Sequence, residues 1–115
     1  MRKFLLLIVG AFAFMACNNT TGISMGNNIK YEVIGTAESV EIVMIDEYWN
    51  TVQQTATLPW TYTFTNSKGS LALYLAAINR GDTGAITVRI YLNNRVLREA
   101  SNEGPNCMAS VEYGQ

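Results

Sequence analysis

Apolar and polar residues alternate along much of this chain with a period of two, the signature of a β-strand with one buried face. In Trp60-Thr61-Tyr62-Thr63-Phe64-Thr65 the aromatics take one face and the threonines the other. Ile86-Thr87-Val88-Arg89-Ile90-Tyr91-Leu92 repeats the scheme, with Ile86, Val88, Ile90 and Leu92 facing inward. Ile29-Lys30-Tyr31-Glu32-Val33 does so again and sends Lys30 and Glu32 to water. Val40 to Ile45 is apolar on both faces apart from Glu41, which suits a central strand. Leu71 to Ile78 is rich in Leu and Ala, which favour helix, but Leu71, Leu73 and Leu75 also alternate, and the neighbouring strands decide for strand.

Turn residues punctuate these runs: Gly35, Asp46-Glu47, Pro59, Asn66 to Gly69, Gly81 to Gly84, Asn93-Asn94 and Gly104-Pro105. Asparagine tolerates positive φ, so Asn93-Asn94 can form a two-residue type I′ turn joining Ile86–Leu92 to Arg95–Ser101. A last strand is expected at Met108 to Tyr113. The fold class expected is all-β, a small antiparallel β-sandwich of immunoglobulin-like type with about seven to eight strands. Residues 29–115 are too few to divide into two cores, so they form one domain.

The first sixteen residues break the pattern. Arg2 and Lys3 are followed by an apolar stretch of ~12 residues from Phe4 to Met15, then Ala16 and Cys17. That order is a secretory signal, too short for a spanning helix of ~20 residues. A cysteine directly after the small residue resembles a lipoprotein signal, in which the thiol takes a lipid and becomes the new N-terminus. Phe14-Met15-Ala16-Cys17 keeps the two positions nearest the cut and departs at the outer two. An ordinary signal peptide with an accidental cysteine is the competing reading. Residues 1–16 are thus read as the signal, and Cys17 as the lipidation site. Residues 17–28, polar with two glycines, are a linker that reaches at most about 38 Å. The product would sit in the bacterial cell envelope, lipid-anchored to a membrane and facing the extracytoplasmic space.

Charge narrows the partners. Loss of Arg2 and Lys3 leaves six basic residues against nine acids, and the bases are scattered, so no nucleic-acid footprint is present. Chemistry is sparse. The chain has no histidine, which removes the commonest general base and zinc ligand. With Cys17 lipidated, Cys107 is the remaining thiol, so no multi-cysteine metal site or internal disulfide can form. Gly81-Asp82-Thr83-Gly84 lacks the lysine of a phosphate loop. Asp46-Glu47 reads more simply as solvated loop acids than as a carboxylate pair or a calcium site. No catalytic residue, cofactor or metal is expected, and the protein is read as a non-enzyme. Candidate partner or ligand contacts are Tyr48 and Trp49, in one loop, and Arg95 and Arg98, after the hairpin turn. Trp60, in phase with Tyr62 and Phe64, reads as core with all three on the buried face. Cys107, just after a turn, reads as a half-buried inert thiol, with a covalent dimer contact as the alternative.

Taken together, Tyr31-Glu32-Val33-Ile34-Gly35-Thr36-Ala37, Val40-Glu41-Ile42, Leu58-Pro59-Trp60 and Ile86 to Leu97 resemble the small mycobacterial membrane proteins of the MmpS type. The resemblance runs from Ile29 to Glu112. It implies a small β-sandwich and an accessory role beside large lipid or siderophore exporters of the resistance–nodulation–division class, so a membrane transport protein is a candidate partner. Members usually hang the domain on an N-terminal transmembrane helix, where this chain carries the lipoprotein-like signal. They often carry a cysteine in the block occupied here by Val88, able to pair with one near the C-terminus, where this chain keeps Cys107. Two functions stay open: an adaptor docking on a membrane-embedded partner, and a ligand-binding or structural envelope lipoprotein unconnected to an exporter.

Overall fold

The computed structural model describes residues 26–67 and 70–114, which hold eight strands. These are β1 (Asn27–Gly35), β2 (Val40–Ile45), β3 (Thr51–Ala56), β4 (Trp60–Asn66), β5 (Ala72–Asn79), β6 (Ala85–Leu92), β7 (Arg95–Glu103) and β8 (Met108–Gly114). They form two antiparallel four-stranded sheets, ordered β4-β1-β6-β7 and β3-β2-β5-β8. The fold is the small antiparallel β-sandwich that the alternation predicts. Among the described residues no helix is long and apolar enough to cross a membrane.

The buried layer follows the period of two. Ile29, Tyr31 and Val33 of β1 and Ile86, Val88 and Ile90 of β6 face Val40, Ile42 and Met44 of β2 and Leu73, Leu75 and Ala77 of β5. The run read ambiguously at Leu71 to Ile78 is strand, because β2 and β8 flank it and supply ladder partners on both sides. Asn93 and Asn94 both take positive φ, +50° and +70°, as a two-residue type I′ turn requires.

Two features depart from the expectations. β3 was not legible, because Thr51-Val52-Gln53-Gln54-Thr55-Ala56 shows no apolar alternation; it forms as the returning arm of a hairpin on β2. The second concerns β4, where Phe64 is buried but Trp60 and Tyr62 are only half-buried. β4 is an edge strand, and the edge strand of the facing sheet is β3. Gln54 pairs with buried Ile42 and so shares its inward face, yet it is exposed. The Val52-Gln54-Ala56 face is too small and polar to cover the aromatic row. Trp60 and Tyr62 instead stack on each other, centroids 6.4 Å apart and planes 8° from parallel.

The ends of the sandwich are held by polar contacts. Asn79 is fully buried, and its Nδ2 donates to the carbonyls of Thr83, Gly84 and Gly104 at 3.1, 3.3 and 2.9 Å. Its Oδ1 accepts from the Gly81 amide at 2.8 Å. One buried amide thus fixes two loops at the end away from the first described residues. Gly35, at φ +142°, turns the chain from one sheet to the other, and the Ala85 carbonyl accepts from both Thr36 N and Ala37 N. Cys107 is half-buried against the core.

Candidate functional site

Strand direction and register place four chain segments at one end of the sandwich. The described chain begins there, since Asn27 pairs with Asn66 and Ile29 with Leu92. The β2–β3 loop, the end of β4, the Asn93-Asn94 turn and the end of β8 lie at the same end. The Tyr31 hydroxyl, reaching across to the Ile45 carbonyl at 2.7 Å, ties the β2 terminus to β1. A shallow cleft of about 270 Å³ between Glu47, Tyr48, Thr65, Asn66 and Ser67 sets the β2–β3 loop beside the strand that pairs with Asn27.

That loop is built around Asp46. Asp46 N donates to the Asn50 carbonyl at 2.9 Å and Trp49 N to the Asp46 carbonyl at 3.1 Å. The Asp46 carboxylate accepts from the amides of Tyr48 and Asn50, both at 2.9 Å. The result is a three-residue hairpin loop of Glu47, Tyr48 and Trp49, whose last residue takes the left-handed conformation with φ +65°. Glycine is the usual occupant of that position, and tryptophan there is strained. Tyr48 is 72% exposed and Trp49 50%. The Glu47 carboxylate accepts a hydrogen bond from the Tyr62 hydroxyl, which fastens the loop to β4. That hydrogen bond to a carboxylate, then desolvation, pushes the Tyr62 phenol up to about 12. Asp46 and Glu47 are therefore occupied in holding the loop, and among the described residues no cluster of acids or cysteines gathers for a metal.

The two arginines part company. Arg95 is exposed beside the hairpin turn, opposite Leu92. A register shift between Ile90 and Tyr91 leaves Leu97 without a counterpart, and Arg98 lies beyond it with its guanidinium carbon 5.0 Å from the centre of the Tyr113 ring. There it borders an open cleft of about 450 Å³ with Ile45, Ala72, Tyr74, Glu112 and Tyr113. Tyr48, Trp49, Arg95 and Arg98 thus all belong to the end where the described chain begins, but they do not converge on one pocket. Cys17 lies outside the described residues.

Elsewhere the charges serve the sheets. Arg89 pairs with Glu32 at 3.3 Å and with Glu99, and the Tyr91 hydroxyl donates to Glu32 at 2.8 Å. Arg80 Nε donates to Glu41 at 3.0 Å, and Lys30 sits 4.3 Å over the Tyr91 ring. Hydrogen bonding to Glu32 raises the Tyr91 phenol.

The lateral sides differ in a way that sequence reasoning missed. Edge strands β3 and β4, on one side, hold no charged residue in Thr51–Ala56 or Trp60–Asn66. The other side is guarded: β7 carries Arg95, Arg98, Glu99 and Glu103 and a register shift, and β8 carries Glu112. Charges and irregularities on edge strands prevent pairing with foreign strands, so the β3/β4 side is the one open to it. The signal was absent from the sequence, since edge status is a property of topology and β3 itself was not visible.

A family model described as Mycobacterium membrane protein matches residues 13–112. No curated protein matches the chain.

Proposed function

The chain belongs to the Mycobacterium membrane protein family, the MmpS type, and from that premise we propose that it is a membrane-anchored extracytoplasmic lipoprotein whose sandwich is a non-catalytic accessory module of a membrane transporter. The observation that carries the proposal is the uncharged pair of edges, β3 and β4. An unguarded edge offers a row of backbone donors and acceptors, and a partner strand can add to it with little demand on side chains. The half-buried Trp60 and Tyr62 border that edge and supply apolar area beneath an added strand. The domain then works as an adaptor, held beside the bilayer by a short tether and gripped by a membrane-embedded protein. The family's membrane character and the lipoprotein-like signal before Cys17 support this arrangement.

A photo-crosslinking residue placed at Thr61 in native membranes tests the reading. The expected product joins the domain to an integral transport protein, and the same probe at Glu99, on the guarded side, gives none. Equal capture from both sides, or none from Thr61, would remove the adaptor reading. A second reading, a ligand-binding envelope lipoprotein, is favoured by the cleft of about 450 Å³ beside Arg98 and Tyr113. Thr61→Lys separates the two: it disables strand addition and leaves that cleft untouched.

A further inference from the structure

We infer that the Tyr48-Trp49 tip docks the domain on the lipid bilayer itself, with both rings in the interfacial layer of headgroups. The inference rests on the proposed membrane attachment and adds an orientation to it. Its first support is where the chain outside the described residues must run. Cys17 precedes Gly26 by about nine residues, which span at most about 30 Å when fully extended. The described chain begins at the same end as the tip, where a Cβ on Gly26 would lie 2.9 Å from the Asn66 carbonyl oxygen. A membrane anchor at Cys17 therefore keeps that end, and not the Asn79 end, against the surface.

The chemistry of the tip is the second support. Tyr and Trp carry an apolar body with one polar handle and settle at the membrane–water interface in preference to either phase. Here two of them are adjacent and strongly exposed. The acids beside them are already taken up: Asp46 accepts two backbone amides, and Glu47 receives the Tyr62 hydroxyl. Asn50, Asn93 and Asn94 at the same end are neutral, and Arg95 there offsets part of the formal negative charge of Asp46 and Glu47, so contact with zwitterionic headgroups is only weakly opposed.

The backbone is the third. Trp49 occupies a left-handed position that glycine would fill without strain, and the Asp46 hydrogen bonds hold it there. Strain of this kind persists where the presented side chain is useful. A loop already fixed loses little freedom on docking.

The test uses the full chain purified from membranes and reconstituted in phosphatidylcholine–phosphatidylglycerol vesicles with brominated acyl chains. The chain has two tryptophans, and Trp60 pairs with Val33 at the opposite end, so it is an internal control. We expect flotation with the vesicles, a blue-shifted emission, and quenching of the Trp49 emission by the brominated chains. Trp49→Gly should float equally and show no quenching of the remaining Trp60. Flotation without quenching of the wild type overturns the docking and leaves the adaptor reading standing. Failure to float overturns both. Protection of Trp49 from acrylamide that fades as lipid is added in excess, without bromine quenching, would assign the tip to a second copy of the chain and overturn the proposal.

Discussion

The Tyr31 hydroxyl, fully buried on β1, donates to the Ile45 carbonyl at the end of β2, 2.7 Å away in the other sheet. Beyond the packed side chains, this contact fixes how far apart the sheets sit at the end that bears the Tyr48-Trp49 loop. Tyr31→Phe keeps the ring and its edge-on contact with Phe64 but leaves that carbonyl without this donor. We expect a loss of about 1–3 kcal/mol, read from chemical denaturation. Burial also pushes the Tyr31 phenol up to about 12. Its pKa is thus higher folded than unfolded, so the unfolded chain releases the proton first. Stability is full below about pH 10 and falls as pH rises from 10 to 12. Tyr31→Phe should make that fall shallower.

Asn79 should be the least replaceable polar residue described. Asn79→Ala takes a donor from three carbonyls and the acceptor from the Gly81 amide, at a cost on the order of 3 kcal/mol. Asn79→Asp sets a buried carboxylate against the same three carbonyl oxygens. Its pKa must rise, so this variant should be more stable near pH 4 than at pH 7, measured by thermal unfolding at both.

Gly35→Ala should fail where most single-methyl changes are tolerated. A Cβ there would lie 2.1 Å from the Ala85 carbonyl oxygen, which already accepts from Thr36 and Ala37. The backbone must move or lose those bonds, and we expect a loss on the order of 3 kcal/mol or more. An unchanged melting midpoint would contradict this account.

Trp60→Ala should cost about 2 kcal/mol, below the range for a fully buried tryptophan, because the ring is already partly open to water. Thr61→Lys, one residue on, points to the outer face opposite Glu32 and should change stability by less than about 0.5 kcal/mol. The pair separates the inner and outer faces of β4 in a single denaturation experiment.

Cys17→Ser should release the protein from membranes if the acyl chains at that thiol are its durable attachment. Fractionation followed by a carbonate wash reads the outcome. Retention in the pellet would assign the anchor to the apolar segment Phe4–Met15 instead.

Where the alternation was clean the strands could be read directly, because a face that must leave water writes its period of two into the residues. Ile29–Val33 and Ile86–Leu92 are such cases, and Asn93-Asn94 announced its turn because few residues accept positive φ twice in succession. Thr51–Ala56 carried no such mark, since its inward face is only Val52 and Ala56 with Gln54 between them, and an edge strand of that kind buries little of its own. The sequence likewise identified Tyr48 and Trp49 as loop aromatics but could not say which end of the molecule presents them.

By itself, then, the sequence determined the β-sandwich, its inward-facing residues and the family to which the chain belongs. Only the tertiary structure decided that Trp60 and Tyr62 stay half-open, that β3 and β4 form an unguarded side, and that the aromatic tip shares an end with Gly26. The physical reason is one of range. Burial of a strand face is a local pattern of side chains, whereas an edge, a facing strand and a shared end depend on which distant strands pair, and that is settled by the packing of the whole chain.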